Sequence, residues 1–159
     1  MIEKKKTLLK ENLKILTIKM KNNFKILLSY IKDLTVEIPN TETLIATRDN
    51  ISKYSMDINI TSKALKNKMI EVTTKLTYKD PSENKLKSQF EIQFSSVVKI
   101  LEENIDKNKL EKLILCDLQN ETYPRLEKIF LNVIKDSGFP EMKFAKKINF
   151  EQLYNNRLN

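Results

Sequence analysis

Met69-Ile70-Glu71-Val72-Thr73-Thr74-Lys75-Leu76-Thr77-Tyr78 is rich in β-branched residues, and Lys79-Asp80-Pro81-Ser82-Glu83-Asn84 follows it directly. Branched side chains fit a pleated, half-buried surface, whereas Asp, Pro, Ser and Asn in close succession specify a turn. Beyond the turn, Lys85 to about Ile100 alternates, with Phe90, Ile92 and Phe94 on one side and Gln89, Glu91 and Gln93 on the other. Successive side chains of a strand point to opposite faces, so the two runs read as an antiparallel hairpin with one apolar and one polar face.

Two further strands precede the hairpin. Ser55 to Thr61 sets Met56, Ile58 and Ile60 on one face. Ile31 to Ile38 sets Ile31, Leu34, Val36 and Ile38 against Lys32, Thr35 and Glu37 until Pro39-Asn40 stops it. Residues 41–53 are polar and read as a loop. Earlier still, Leu9, Leu13, Leu16, Met20, Phe24, Leu27 and Ile31 recur every three or four residues, the period of an amphipathic helix. After Ile100 the period turns helical again. Lys107 to Asp117 is a short helix, and a second opens near Pro124 with the stripe Leu126, Ile129, Phe130, Val133 and Ile134. Gly138 supplies its left-handed stop, and Asn149 caps a last helix through Leu158. Strands followed by helices predict an α+β fold, a four-stranded antiparallel sheet covered on one face by helices.

Composition removes whole classes of chemistry. The 159 residues contain no His, a single Gly and a single Cys. Without imidazole there is no His base or ligand, and a phosphate-cradling loop needs several glycines close together. One thiol makes neither an internal disulfide nor a four-ligand zinc site. Cys116 reads as a small buried apolar residue in a reducing compartment. The expectation is a protein that is not an enzyme and uses neither cofactor nor metal.

Charge is unevenly placed. Residues 1–32 carry nine Lys against two Glu, a net of +7, leaving +1 of the total +8 for the rest. Such a basic head suits an anionic membrane surface, an acidic partner or the body of the protein itself, and Met20 is an alternative start. No apolar run reaches the roughly 20 residues of a membrane span, and lysines interrupt every candidate signal sequence.

The run Tyr30-Ile31-Lys32-Asp33-Leu34-Thr35-Val36-Glu37-Ile38-Pro39-Asn40, with the later Gly138-Phe139-Pro140 and Asn149-Phe150-Glu151-Gln152-Leu153-Tyr154, resembles the protein-export chaperone SecB family. Subunits of that family open with Tyr-x-Lys-Asp-(apolar)-(Ser/Thr)-(apolar)-Glu-x-Pro and close with a Gly-Phe-Pro turn and an Asn-Phe-x-x-Leu-Tyr helix start. The resemblance divides the chain into a basic amphipathic extension, residues 1–29, and a SecB-like domain, residues 30–159. It implies a cytoplasmic holdase that keeps unfolded preproteins competent for translocation and passes them to the translocase ATPase SecA. It further implies a homotetramer built as a dimer of dimers, with SecA docking on Asp33, Glu37 and Glu91 of the open sheet face. Candidate client-groove residues are Tyr54, Met56, Ile58, Phe139, Met142 and Phe144. Where the family has a glycine pair after its fourth strand, this chain has Ser95-Ser96. Two other readings stand beside export: a SecB-like holdase for another client such as a toxin, and a nucleic-acid-binding protein acting through the lysine-rich head. The near-neutral body and the lack of an aromatic-studded basic platform argue against nucleic acid.

Overall fold

A computed structural model of the chain describes Thr7 and residues 23–158. Four strands, β1 (Phe24–Glu37), β2 (Ser55–Ala64), β3 (Met69–Lys79) and β4 (Gln89–Ile100), form one antiparallel sheet in the order β1-β4-β3-β2. Helix α1 (Thr41–Asn50) and a single 3-10 turn (Ile51–Lys53) join β1 to β2. After β4 come α2 (Lys107–Lys112), a π-helical stretch (Leu113–Asp117) and α3 (Leu118–Asp136), then α4 (Phe150–Arg157).

The central hairpin follows the sequence pattern closely. Tyr78 pairs with Phe90, Leu76 with Ile92 and Thr74 with Phe94, so alternate residues of both strands reach the helical side together. Phe90, Ile92 and Leu76 are completely buried there, in one cluster with Leu126, Phe130 and Ile134 of α3. Each such side chain contributes about 1.5–3 kcal/mol by leaving water. A second cluster lies at the other end of the sheet, where Val72, Val98 and Ile100 meet Leu113, Ile114 and Leu118. Ser95 and Ser96 lie inside β4 rather than after it. Their hydroxyls are tied on opposite faces, Ser95 to Thr73 and Ser96 to Ser29, each at 2.7 Å.

Strand β1 departs from the sequence expectation. It begins at Phe24, so Phe24 to Ser29, expected within the extension, are part of the sheet, and Phe24, Leu27 and Ile31 are strand rather than helix. The reason is a pair of bulges. Register against β4 shifts between Ile26 and Leu28 and again between Ile31 and Asp33, leaving Leu27 and Lys32 as extra residues. Residues facing the helical side are consequently Phe24, Ile26, Ser29, Ile31, Leu34 and Val36. Steps of two and three alternate along that series, which imitates a helical period. The remainder of the expected helix, Leu9 to Met20, lies outside the described residues.

Residues 41–50, expected as loop, are helical because Asn40 caps them. Its Oδ1 accepts the Thr43 N–H at 2.9 Å, and Glu42 stands in the first turn. Pro124 lies within α3 rather than at a helix start, since the π-helical stretch joins α2 to α3 without a break. The start of α3 is anchored to the sheet through Gln119, whose Nε2 donates to the Ile114 carbonyl at 3.2 Å and whose Oε1 accepts from Thr74 at 2.9 Å. Gly138 has a φ of +112°, and a Cβ there would lie 3.3 Å from Leu44 Cδ1. It turns the chain so that residues 139–149 run back towards the helical side of β2. Asn149 Oδ1 then caps α4 through the Gln152 N–H at 3.0 Å.

Candidate functional site

Between β2 and α4 lies a trough of about 730 Å³. Tyr54, Met56 and Ile58 line it from the sheet, Phe144 and Ile148 from the returning segment, and Leu153 from α4. A smaller hollow of about 250 Å³ continues along the same strand past Ile58 to Ile60, between Leu153, Tyr154 and Arg157. The two share Ile58 and Leu153, so together they follow β2 along much of its length.

Aromatic rings make the floor rigid. Tyr54 and Tyr78 lie 5.6 Å apart, Tyr78 meets Phe144 edge-on at 5.6 Å, and Phe144 stacks on Phe130 at 6.1 Å. The tyrosine hydroxyls are engaged within the protein. Tyr54 OH accepts the Ser88 N–H at 3.1 Å and lies 3.4 Å from Thr47 Oγ1, which in turn bonds Ser88 Oγ at 2.7 Å. Tyr78 OH donates to the Ile51 carbonyl at 2.7 Å, and burial pushes its pKa up to about 12. Burial likewise raises Tyr123, which also lines the trough. With their polar ends satisfied, the buried rings of Tyr54 and Tyr78 form a firm base beneath the half-buried Met56, Ile58 and Phe144.

Four of the candidate groove residues therefore come together: Tyr54, Met56, Ile58 and Phe144. Phe139 and Met142 are elsewhere. Both are buried, and Phe139 packs edge-on against Phe90 at 5.8 Å, so they support the returning segment from beneath. Sequence reasoning missed Ile148 and Leu153 and the lysines Lys143, Lys146 and Lys147 on the rim. No local pattern marks them, because their place beside β2 depends on the reversal at Gly138.

The opposite, open face of the sheet carries the acidic candidates. Asp33 pairs with Gln93, Thr35 with Glu91 and Glu37 with Gln89, which puts all three carboxylates on that face with Glu91 diagonal to the other two. Glu91 is already engaged by Lys75 at 3.0 Å and accepts from Thr77 at 3.3 Å. Farther along the same face, the Tyr30 hydroxyl donates to Glu71 Oε1, with Lys32 Nζ at 3.3 Å from the same oxygen. The hydrogen bond from Tyr30, then that from Lys32, holds the Glu71 carboxyl below its usual range, while the same Tyr30 bond raises the Tyr30 phenol. Cys116 is fully buried, and burial pushes its thiol up, as an unreactive core position requires. Among the described residues no group of three or more Cys, Asp and Glu could hold a metal, and no helix is long and apolar enough to cross a membrane.

The fold and its trough define an α+β domain with one open sheet face and a partly apolar groove along one edge. The model of the preprotein translocase subunit SecB family matches residues 18–159. A Pelagibacter ubique (strain HTCC1062) protein, "Putative protein-export protein SecB", is 51% identical over 140 residues, covering 88% of this chain and all of that one. The protein-export protein SecB of Rhodopseudomonas palustris (strain BisA53) is 28% identical over 129 residues, 81% of this chain and 78% of its own. The chain belongs to the SecB family. Its fold is shared by a Mycobacterium tuberculosis SecB-like chaperone solved with a ChAD peptide from an antitoxin, at a TM-score of 0.59 and 8% identity over 86% of this chain and 99% of that one.

Proposed function

We propose that the protein is a molecular chaperone of the holdase type, which binds unfolded preproteins in the trough along β2 and keeps them from folding before export. The observation that carries this reading is the trough itself. It is a trough of about 730 Å³ in which the half-buried apolar side chains of Met56, Ile58, Phe144 and Ile148 lie over the buried rings of Tyr54 and Tyr78, whose hydroxyls are tied to protein partners. Such a site needs no catalysis: many weak apolar contacts along an extended polypeptide suffice. Family membership supports the chaperone role.

Assembly as a homotetramer, a dimer of dimers, belongs to the same proposal. On β1, Phe24 and Ile26 pack against the helical layer, whereas Ile31, Leu34 and Val36 face the same side yet remain 45%, 42% and 40% exposed. An exposed apolar edge invites pairing with another chain, and a second copy offers the same edge in a two-fold arrangement. Delivery to SecA through Asp33, Glu37 and Glu91 in the cytoplasm completes the reading, with the acidic face separate from the trough.

The test is refolding. The purified protein should delay the refolding of a chemically denatured polypeptide and ignore the same polypeptide once native, with no effect of added nucleotide. Replacing Met56 and Ile58 together by Asp puts charge into the trough and should abolish the delay while the circular dichroism spectrum is kept. Equal binding to native and denatured polypeptide would count decisively against a holdase.

A further inference from the structure

The rim of the trough carries a charge that the central apolar floor does not explain. Lys143, Lys146 and Lys147 line its wall, and Arg157 lines the hollow that continues it. None of these cations takes part in an ion pair among the described residues, where the bridging cations are Lys32, Arg48, Lys68, Lys75 and Lys109. All four are exposed. The one acidic residue along the lining is Asp57, which pairs with Thr77 and so points to the open face of the sheet, away from the trough. Four cations against a single averted carboxylate give the rim an uncompensated positive field at both ends of an apolar channel.

We infer that this trough selects client segments by charge, taking extended stretches in which aromatic or aliphatic side chains are flanked by aspartate or glutamate. The inference rests on the holdase reading above and refines it. Apolar side chains fill the space over Tyr54, Met56, Ile58 and Phe144, while flanking carboxylates meet Lys143, Lys146 and Lys147 at one end and Arg157 at the other. Rim charges act mainly on encounter rate and on discrimination between partners, so the expected signature is a preference rather than an absolute requirement. A segment flanked by lysines meets like charge at both ends and is disfavoured.

The experiment uses two fluorescent peptides with an identical apolar centre, one flanked by aspartates and the other by lysines. Binding to the full-length protein is followed by anisotropy at low and at high salt. The aspartate-flanked peptide should bind about tenfold more tightly at low salt, the scale of a few exposed charge contacts, and the gap should close as salt screens the rim. Replacing the lysines (K143E, K146E and K147E together) should reverse the preference, and the neutral set K143Q, K146Q and K147Q should reduce it without touching the floor. Equal affinity of the unaltered protein for both peptides at low salt overturns charge selection and leaves the holdase reading intact. Failure of both peptides to bind, at either salt, overturns both.

Discussion

The two edges of the sheet carry similar apolar patterns towards the same side and meet opposite fates. On β2, Met56, Ile58 and Ile60 are partly buried against the returning segment and α4. On β1, Ile31, Leu34 and Val36 face the same way with no described helix over them. The difference comes from the connections. Gly138 reverses the chain and brings residues 139–149 and α4 beside β2, whereas the helical layer meets β1 at Phe24 and Ile26 and leaves Ile31, Leu34 and Val36 exposed. One edge thus becomes the side of a trough, and the other keeps an exposed apolar strip, the surface proposed above for pairing with a second copy.

The largest expected effect breaks the second half of this comparison. Leu34→Asp with Val36→Asp should lower the molar mass measured by light scattering from that of a tetramer to that of a monomer or dimer. The secondary structure should persist, since neither side chain is buried. The Met56 and Ile58 replacements on β2 should leave the mass unchanged. If both edges alter the mass equally, the assignment of one edge to assembly and the other to clients is wrong.

A smaller effect tests whether the open face is independent of both edges. Changing Asp33, Glu37 and Glu91 together to Lys should weaken binding to SecA while tetramer mass and refolding delay survive. Single changes are expected to cost about 1 kcal/mol or less, as exposed charges do, so the triple variant is the informative one. Glu91 should matter least alone, because Lys75 already engages it. SecA binding equal to that of the parent protein would remove these residues from the docking surface.

The smallest effect concerns Tyr30 and Glu71 on the open face beside the acidic group. Tyr30 holds the Glu71 carboxyl below its usual range. A depressed carboxylate contributes stability that is fully present above its unfolded-state pKa and is lost as pH falls through the lower folded value. Tyr30→Phe should therefore raise the Glu71 titration, followed by NMR, and weaken the protein near neutral pH more than at strongly acidic pH. An unchanged Glu71 titration would show that Lys32 alone sets it.

Local sequence was enough where the physics is local. The β3–β4 hairpin was legible because residues alternate along both strands and the turn residues between them are unambiguous. The stop at Gly138 and the cap at Asn149 were legible for the same reason, since a positive φ and a helix N-terminus each favour few residue types. Asn40 carried an equally local signal, with Glu42 behind it, but the polar run around it concealed helix α1. Strand β1 misled because two bulges turn a period of two into steps of two and three, and a bulge depends on the partner strand rather than on its own residues.

The sequence by itself thus determined an antiparallel α+β domain of the SecB family without the residues for imidazole or phosphate-loop chemistry. Alternation also put Glu37 and Glu91 on polar strand positions, whereas the place of Asp33 on the same face depends on the bulge between Ile31 and Asp33. Only the tertiary structure decided that Tyr54, Met56, Ile58 and Phe144 share a trough while Phe139 and Met142 lie beneath it. It alone decided that three lysines of the returning segment stand on the rim. Those placements bring together positions some ninety residues apart, and that juxtaposition is set by packing across the sheet, which no local period encodes.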